Sequence, residues 1–293
     1  MFDCNTKTST GPALLRVCLW ALLACAAGAS AMDLDRLSDA DRKLHDSILA
    51  KLAPVIDDLR GSSALTTMTF EQLYRPLDGP EQAYLKGFLA IDPNSVGIKQ
   101  SFVGLSFGDP NLVPLRQKVT PLQGKPYSLP VQYLPRQVSA QFQRMADRMQ
   151  KQIGRRVFVE SGFRNSAHQL FLFLASMKRH SYSVRETVRF VALPGYSEHG
   201  CPARQAVDLL TQEGFNVDTP PDRYEQSPEF QWLAKISREF GFVLSYPKNS
   251  PTGISYEPWH WHFEPSLLAP TSADTNATDA AADANCPSAA SKP

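Results

Sequence analysis

Six consecutive residues near the C-terminal end, Glu257-Pro258-Trp259-His260-Trp261-His262, bring together one acid and two imidazoles. About sixty positions earlier, Ser197-Glu198-His199 precedes Ala206-Val207-Asp208. Imidazoles, a carboxylate and a spare glutamate are the side chains of a catalytic zinc centre. Such a centre uses three protein ligands, leaves a fourth position for water or substrate, and needs a base nearby. The two segments do this chemistry only if the fold brings them together. Cys201, two residues from His199, is a poorer candidate ligand because a thiol in an oxidising compartment is prone to oxidation.

The elements around these residues follow from periodicity. A strand over Trp259–Phe263 turns His260 and His262 to one face and Trp259, Trp261 and Phe263 to the other. Asp208 falls in a short strand over 205–210. Other expected strands are 156–160, leading into Ser161-Gly162-Phe163-Arg164, and 242–246. Helical spacing marks 38–60 (Leu44, Ile48, Leu52, Ile56, Leu59), 139–153, 166–178, 186–191 and 228–240. Strands and helices mix without regular alternation, which predicts an α+β fold with a small antiparallel sheet flanked by helices. Residues 64–134, rich in proline and glycine, read as short strands and long loops to which no function attaches.

The chain has 293 residues. Lys7 and Arg16 precede the apolar run Val17–Ala27, and Ala29-Ser30-Ala31 has the small-x-small form of a cleavage site, so 1–31 is expected to be an export signal. The run falls short of the ~20 apolar residues of a membrane span. Leu22-Leu23-Ala24-Cys25 is a weak lipobox, and only lipidation of Cys25 would tie the chain to a membrane. Lys7, Arg16 and Asp3 fall within the signal, which leaves 28 basic and 28 acidic side chains. That balance argues against nucleic acid as a partner. Of five cysteines, Cys201 and Cys286 remain, one pair at most. From residue 269 the chain is Ala-, Ser-, Thr-, Asp- and Pro-rich and reads as a disordered tail. The expected organisation is therefore a signal over 1–31, an N-terminal extension over 32–133, a catalytic domain over 134–268 and a tail over 269–293, in a monomer located in the periplasm or cell envelope.

Three segments in order carry a family resemblance: Ser161-Gly162-Phe163-Arg164 with Gln169, Ser197-Glu198-His199 through Ala206-Val207-Asp208, and Glu257-Pro258-Trp259-His260. They resemble the S-G-Y-R-S…Q, S-x-H-x-x-G-x-A-x-D and E-P-W-H signatures of the VanY-type zinc D-alanyl-D-alanine carboxypeptidases. The resemblance spans about residues 134–265. It implies Zn2+ held by His199, Asp208 and His260, with Glu257 as general base. Arg164 is implied to meet the substrate's terminal carboxylate or the developing oxyanion, and Ser197 and Gln169 to bind the substrate's terminal part. His262 is left as a support for His260, a substrate-binding group or a rival ligand. The implied activity is removal of the C-terminal D-alanine from peptidoglycan stem peptides. The alternatives are an L,D-carboxypeptidase or endopeptidase of the same fold, or a degenerate cell-wall-binding protein. One departure stands out: Asp208 follows His199 by nine residues rather than seven, with no glycine at the matching place.

Overall fold

The computed structural model describes residues 32–268. The expected export signal with Cys25 and the expected tail with Cys286 lie outside the described residues. Among the described residues no helix is long and apolar enough to cross a membrane.

The helices are α1 (Asp39–Gly61), α2 (Phe70–Tyr74), α3 (Gly79–Ala90), α4 (Arg136–Ile153), α5 (Ser166–Met177), α6 (Val184–Thr187), α7 (Pro221–Glu225) and α8 (Pro228–Ile236). The strands are β1 (Leu112–Leu115), β2 (Lys118–Val119), β3 (Tyr127–Ser128), β4 (Gln132–Pro135), β5 (Phe158–Ser161), β6 (Ala206–Leu210), β7 (Phe242–Leu244) and β8 (His260–Phe263). The last four form one antiparallel sheet in the order β5-β6-β8-β7, while β1 pairs with β4 and β2 with β3. The fold is thus α+β, as the mixed pattern predicts.

The register of this sheet places the candidate ligands. Asp208 pairs directly with His260, and Ala206 with His262. In an antiparallel pair, opposed residues share a face. Val207 and Trp261, one step along, therefore face the other way. There they join Phe142, Met145, Leu233 and Phe263 in a core under α4 and α8. One face of the sheet is apolar and anchored; the other carries the polar cluster. A bulge between Val159 and Ser161 breaks the β5–β6 ladder beside Asp208 and re-aims the chain into the arginine segment.

Residues 64–134 are more helical than their proline and glycine content predicts. α2 and α3 each begin with a capping box, Thr69 with Gln72 and Asp78 with Glu81, which satisfies backbone N–H groups that a helix start leaves open. Leu73, Leu85 and Phe88 then pack with Ile48 and Leu52 of α1 and Leu170, Phe173 and Leu174 of α5. Capping and tertiary burial together outweigh the loop-like composition. α5 is buried along most of its length, with residues before and after it sharing one core.

Candidate active site

His199 sits on a 3-10 turn, Glu198–Gly200, after the arginine segment has been pinned from both sides. The Asn165 amide donates to Thr66 O (2.8 Å), Ser166 N to Ser106 O (3.0 Å), Phe163 N to Tyr133 O (2.8 Å) and Arg164 N to His199 O (3.0 Å). Asn165 Nδ2 also donates to Thr67 O at 2.8 Å. The segment that sequence reading left without a role therefore pins the arginine loop, which bonds the histidine loop through Arg164 N.

The interval between His199 and Asp208 holds a second 3-10 turn, Pro202–Arg204. Gln205 closes it, donating to His199 O (3.3 Å) and Ala206 O (2.7 Å). Cys201 is buried within the interval. The two extra residues are taken up as an added turn, and His199 Nε2 still lies 3.2 Å from Asp208 Oδ2.

That contact is chemically specific. His199 Nδ1–H donates to Gly162 O at 2.7 Å, so Nε2 presents its lone pair. Burial lowers the His199 pKa to about 4, Arg164 adds to this and Asp208 opposes it, so the ring is neutral. Nε2 is buried without a hydrogen-bond partner, facing a carboxylate oxygen. Two electron-rich atoms in contact call for a cation between them. Ligands ~2.0–2.2 Å from a tetrahedral zinc lie ~3.3 Å apart, close to the observed separation. The other Asp208 oxygen, Oδ1, is 2.9 Å from His260 Nδ1. One donor atom from each of His199, Asp208 and His260 falls within 4.8 Å of the others. The donor set fits a divalent metal with nitrogen and oxygen preference. Burial opposes ionisation of Asp208, but the neighbouring His260 holds the carboxyl well below its ordinary range.

His260 is gripped at both nitrogens. Nε2–H donates to Glu198 Oε2 at 3.1 Å, which leaves Nδ1 for the cluster. Glu198 in turn accepts from Ser245 Oγ (2.6 Å), and Ser245 Oγ accepts from His262 Nδ1 (2.8 Å). Arg204 Nε reaches Glu198 Oε1 at 3.0 Å. Burial disfavours the Glu198 carboxylate, yet hydrogen bonds from His260 and Ser245 hold its pKa well below the usual range. Burial disfavours the charged His260 ring, while Asp208 and Glu198 raise its pKa to about 10.

Glu257 stands next to this group, Oε2 3.8 Å from His260 Nδ1. Its backbone N–H donates to Tyr246 O (3.2 Å), and its carbonyl accepts from His260 N (3.1 Å), a turn that hooks the acid over the strand start. Burial pushes its pKa up to about 8, helped by Asp208 and opposed by His260 and Arg164. A carboxyl poised near neutrality is suited to take and return a proton. Arg164 lies within electrostatic reach of Asp208 and Glu257, and its Nε has no partner.

Arg164, Gln169, Ser197, His199, Asp208, Glu257 and His260 line one cleft of about 780 Å³. His262 does not line it; the ring sits behind, bonded to Ser245. Gln169 is buried, with Nε2 donating to Ala192 O at 2.7 Å.

Sequence reasoning passed over Glu198, Tyr246 and Gln100. The signal for Glu198 was its place between two site residues. Tyr246 follows β7, its ring 4.9 Å from that of His260. Gln100 Nε2 donates to Tyr246 Oη at 3.2 Å across 146 positions of chain, a separation that leaves no local signal.

The family model for VanY, D-alanyl-D-alanine carboxypeptidase, matches residues 131–266. The bifunctional D-Ala-D-Ala dipeptidase and D-Ala-D-Ala carboxypeptidase VanXYC of Enterococcus gallinarum is 33% identical over 135 residues, 45% of this chain and 67% of the relative. A D-alanyl-D-alanine carboxypeptidase of Enterococcus faecium is 29% identical over 133 residues, 44% of this chain but 36% of its own length. Among solved structures, a variant of the D,D-pentapeptidase VanY in complex with Zn(II) is 26% identical, covering 45% of this chain and 73% of that one, with a TM-score of 0.37. The LdcB LD-carboxypeptidase is 24% identical, covering 53% and 68%, with a TM-score of 0.40.

Proposed function

Because the chain belongs to the VanY family of D-alanyl-D-alanine carboxypeptidases, we propose that it is a zinc-dependent peptidase that releases the C-terminal D-alanine of peptidoglycan stem peptides in the cell envelope. The observation that carries the metal half of this reading is the bare His199 Nε2 facing Asp208 Oδ2 at 3.2 Å, with His260 Nδ1 on the same carboxylate. His199, Asp208 and His260 would hold the metal, which would supply Lewis-acid polarisation of the scissile carbonyl and of the attacking water.

The remaining roles fall to this chain's own groups. Glu257 takes the water's proton and passes it to the leaving amine, so that hydroxide adds to the carbonyl carbon as the C–N bond breaks. Arg164, half-buried and with Nε unengaged, offers a fixed positive charge to the substrate carboxylate or to the negative oxygen that develops on attack. Ser197 and Gln169, on the same cleft wall, hold the terminal residue. Glu198 keeps His260 in the tautomer that frees Nδ1, as outer carboxylates do for ligating histidines, and the His262–Ser245 pair holds Glu198. Export through 1–31 would bring the enzyme to its substrate.

Metal analysis of the purified protein tests this directly. Near-stoichiometric zinc, lost in His199→Ala, is expected together with release of D-alanine from a pentapeptide. Well-folded protein that takes up no zinc would refute it and favour a cell-wall-binding protein without catalysis.

A further inference from the structure

The chain before residue 131, which lies outside the match to the family model, contributes a side chain to the catalytic cleft. Gln100 lines it together with Arg164, Tyr246, Glu257 and His260. The backbone is held on both sides of Gln100. Lys99 N donates to Thr252 O at 2.8 Å, and Val103 N and Gly104 N donate to Gly195 O at 2.8 and 3.2 Å. Gly97 lies so close to Gly253 that a Cβ on Gly253 would meet Gly97 O at 2.8 Å. The strap over 97–104 is thus tied to the loop that leads to Glu257 and to the loop that leads to His199.

Tyr246 is 9% exposed, and its ring lies 4.9 Å from that of His260. Gln100 Nε2 donates to Tyr246 Oη at 3.2 Å. An N–H on the phenol oxygen fills one of its acceptor sites, so the phenol's own O–H must point elsewhere. Among the described residues that O–H meets no acceptor, and a buried donor left unmet is costly. Arg164, Glu257 and Asp208 all lie within electrostatic reach of Tyr246. A free O–H beside a candidate metal ligand and a guanidinium suits an oxygen that gains negative charge there.

We infer that Gln100 is a positioning residue: by occupying the acceptor side of Tyr246 Oη, it turns the Tyr246 O–H to the oxygen of the scissile carbonyl as that oxygen becomes negative. Tyr246 lends a hydrogen bond and keeps its proton throughout. A segment outside the family match thereby supplies part of the oxyanion environment. The inference rests on the peptidase reading.

The zinc-loaded full chain tests it with a peptide ending in D-Ala-D-Ala and with a phosphinate analogue of that amide, whose tetrahedral anionic centre stands for the charged intermediate. Tyr246→Phe is expected to lose about 10- to 100-fold in kcat, the range of one hydrogen bond to a charged group, with KM within about twofold of wild type. Phosphinate affinity should fall by a similar factor. Gln100→Leu frees the phenol to turn and should cost about 3- to 10-fold in both measures, the range of a neutral bond. Gln100→Glu, whose carboxylate draws the O–H to itself, should cost about as much as Tyr246→Phe. In the Tyr246→Phe background neither change at Gln100 should cost more than about twofold further, because the cycle isolates what passes through the hydroxyl. Zinc content and thermal melting check that each variant is folded and loaded. Equal losses with and without the Tyr246 hydroxyl, or wild-type kcat in Gln100→Glu, would overturn the inference. If the wild type releases no D-alanine, the peptidase reading fails separately and phosphinate affinity decides. A loss in Gln100→Glu that vanishes in the Tyr246→Phe background then supports the positioning role, and unchanged affinity, or no binding by the wild type, overturns it.

Discussion

Glu198 makes a demanding test of the metal centre, because it touches no candidate ligand atom that faces the cluster. Its Oε2 accepts from His260 Nε2 at 3.1 Å and from Ser245 Oγ at 2.6 Å, with the side chain 12% exposed. Glu198→Ala removes a charge-assisted bond worth ~1.5–3 kcal/mol. His260 is then free to rotate or to carry its proton on the nitrogen that must bind metal. Loss of an outer carboxylate of this kind costs about 10- to 100-fold in metal affinity, in line with that energy. Arg204, the other partner, is 44% exposed and returns to water at little cost. Glu198→Gln keeps an acceptor but gives up the charge, and a neutral bond retains about half the energy, so a loss of about 3- to 10-fold is expected. Competition titration with a chromophoric chelator gives the zinc Kd, and thermal melting of the metal-free proteins checks that the fold survives. A zinc Kd within twofold of wild type in folded Glu198→Ala would refute the claim that Glu198 orients His260.

Three other outcomes follow from the same geometry. Glu257→Gln should keep zinc and lose about 10²- to 10⁴-fold in kcat for D-alanine release, the range of general base catalysis; full activity with zinc bound would remove Glu257 from its role. Gly162→Ala should destabilise by about 1–3 kcal/mol and weaken zinc binding, because the added methyl meets Tyr133 O at 2.6 Å beside the carbonyl that fixes His199; denaturant melts and zinc titration check both. Burial lowers the pKa of His168 to about 3, while the unfolded chain takes up that proton near 6.5. Its contribution to stability is therefore complete above pH 6.5 and declines by ~1.4 kcal/mol per unit as the pH falls towards 3. His168→Gln should make the stability profile between pH 6 and 4 shallower by about that slope.

How much of this was legible in the chain differs between the strands and the loops. The alternation on 259–263 already separates two histidines from two tryptophans and a phenylalanine, because a strand has a fixed period of two. The residue types at 199, 208, 257 and 260 carry metal and base chemistry wherever they are put. Those types and that alternation suit a metal site on one face of a strand, the hydrolase activity being what the resemblance to the VanY-type carboxypeptidases implies, and the sheet register bears out the facing directions by pairing Asp208 with His260.

Three matters needed the tertiary structure. The nine-residue interval before Asp208 is compatible with either a misplaced or a well-placed ligand until its added turn and the Gln205 clamp are seen. The proline- and glycine-rich stretch reads as loop because capping boxes act over four residues while the burial that stabilises α2 and α3 comes from α1 and α5. Glu198 was given no role, and Gln100 carried no signal at all. A hydrogen bond has no sequence period, so groups 62 or 146 positions from their partners declare themselves only when the chain has folded. Residue types and periodicity singled out which side chains could do metal and base chemistry. Long-range packing decided which atoms face one another.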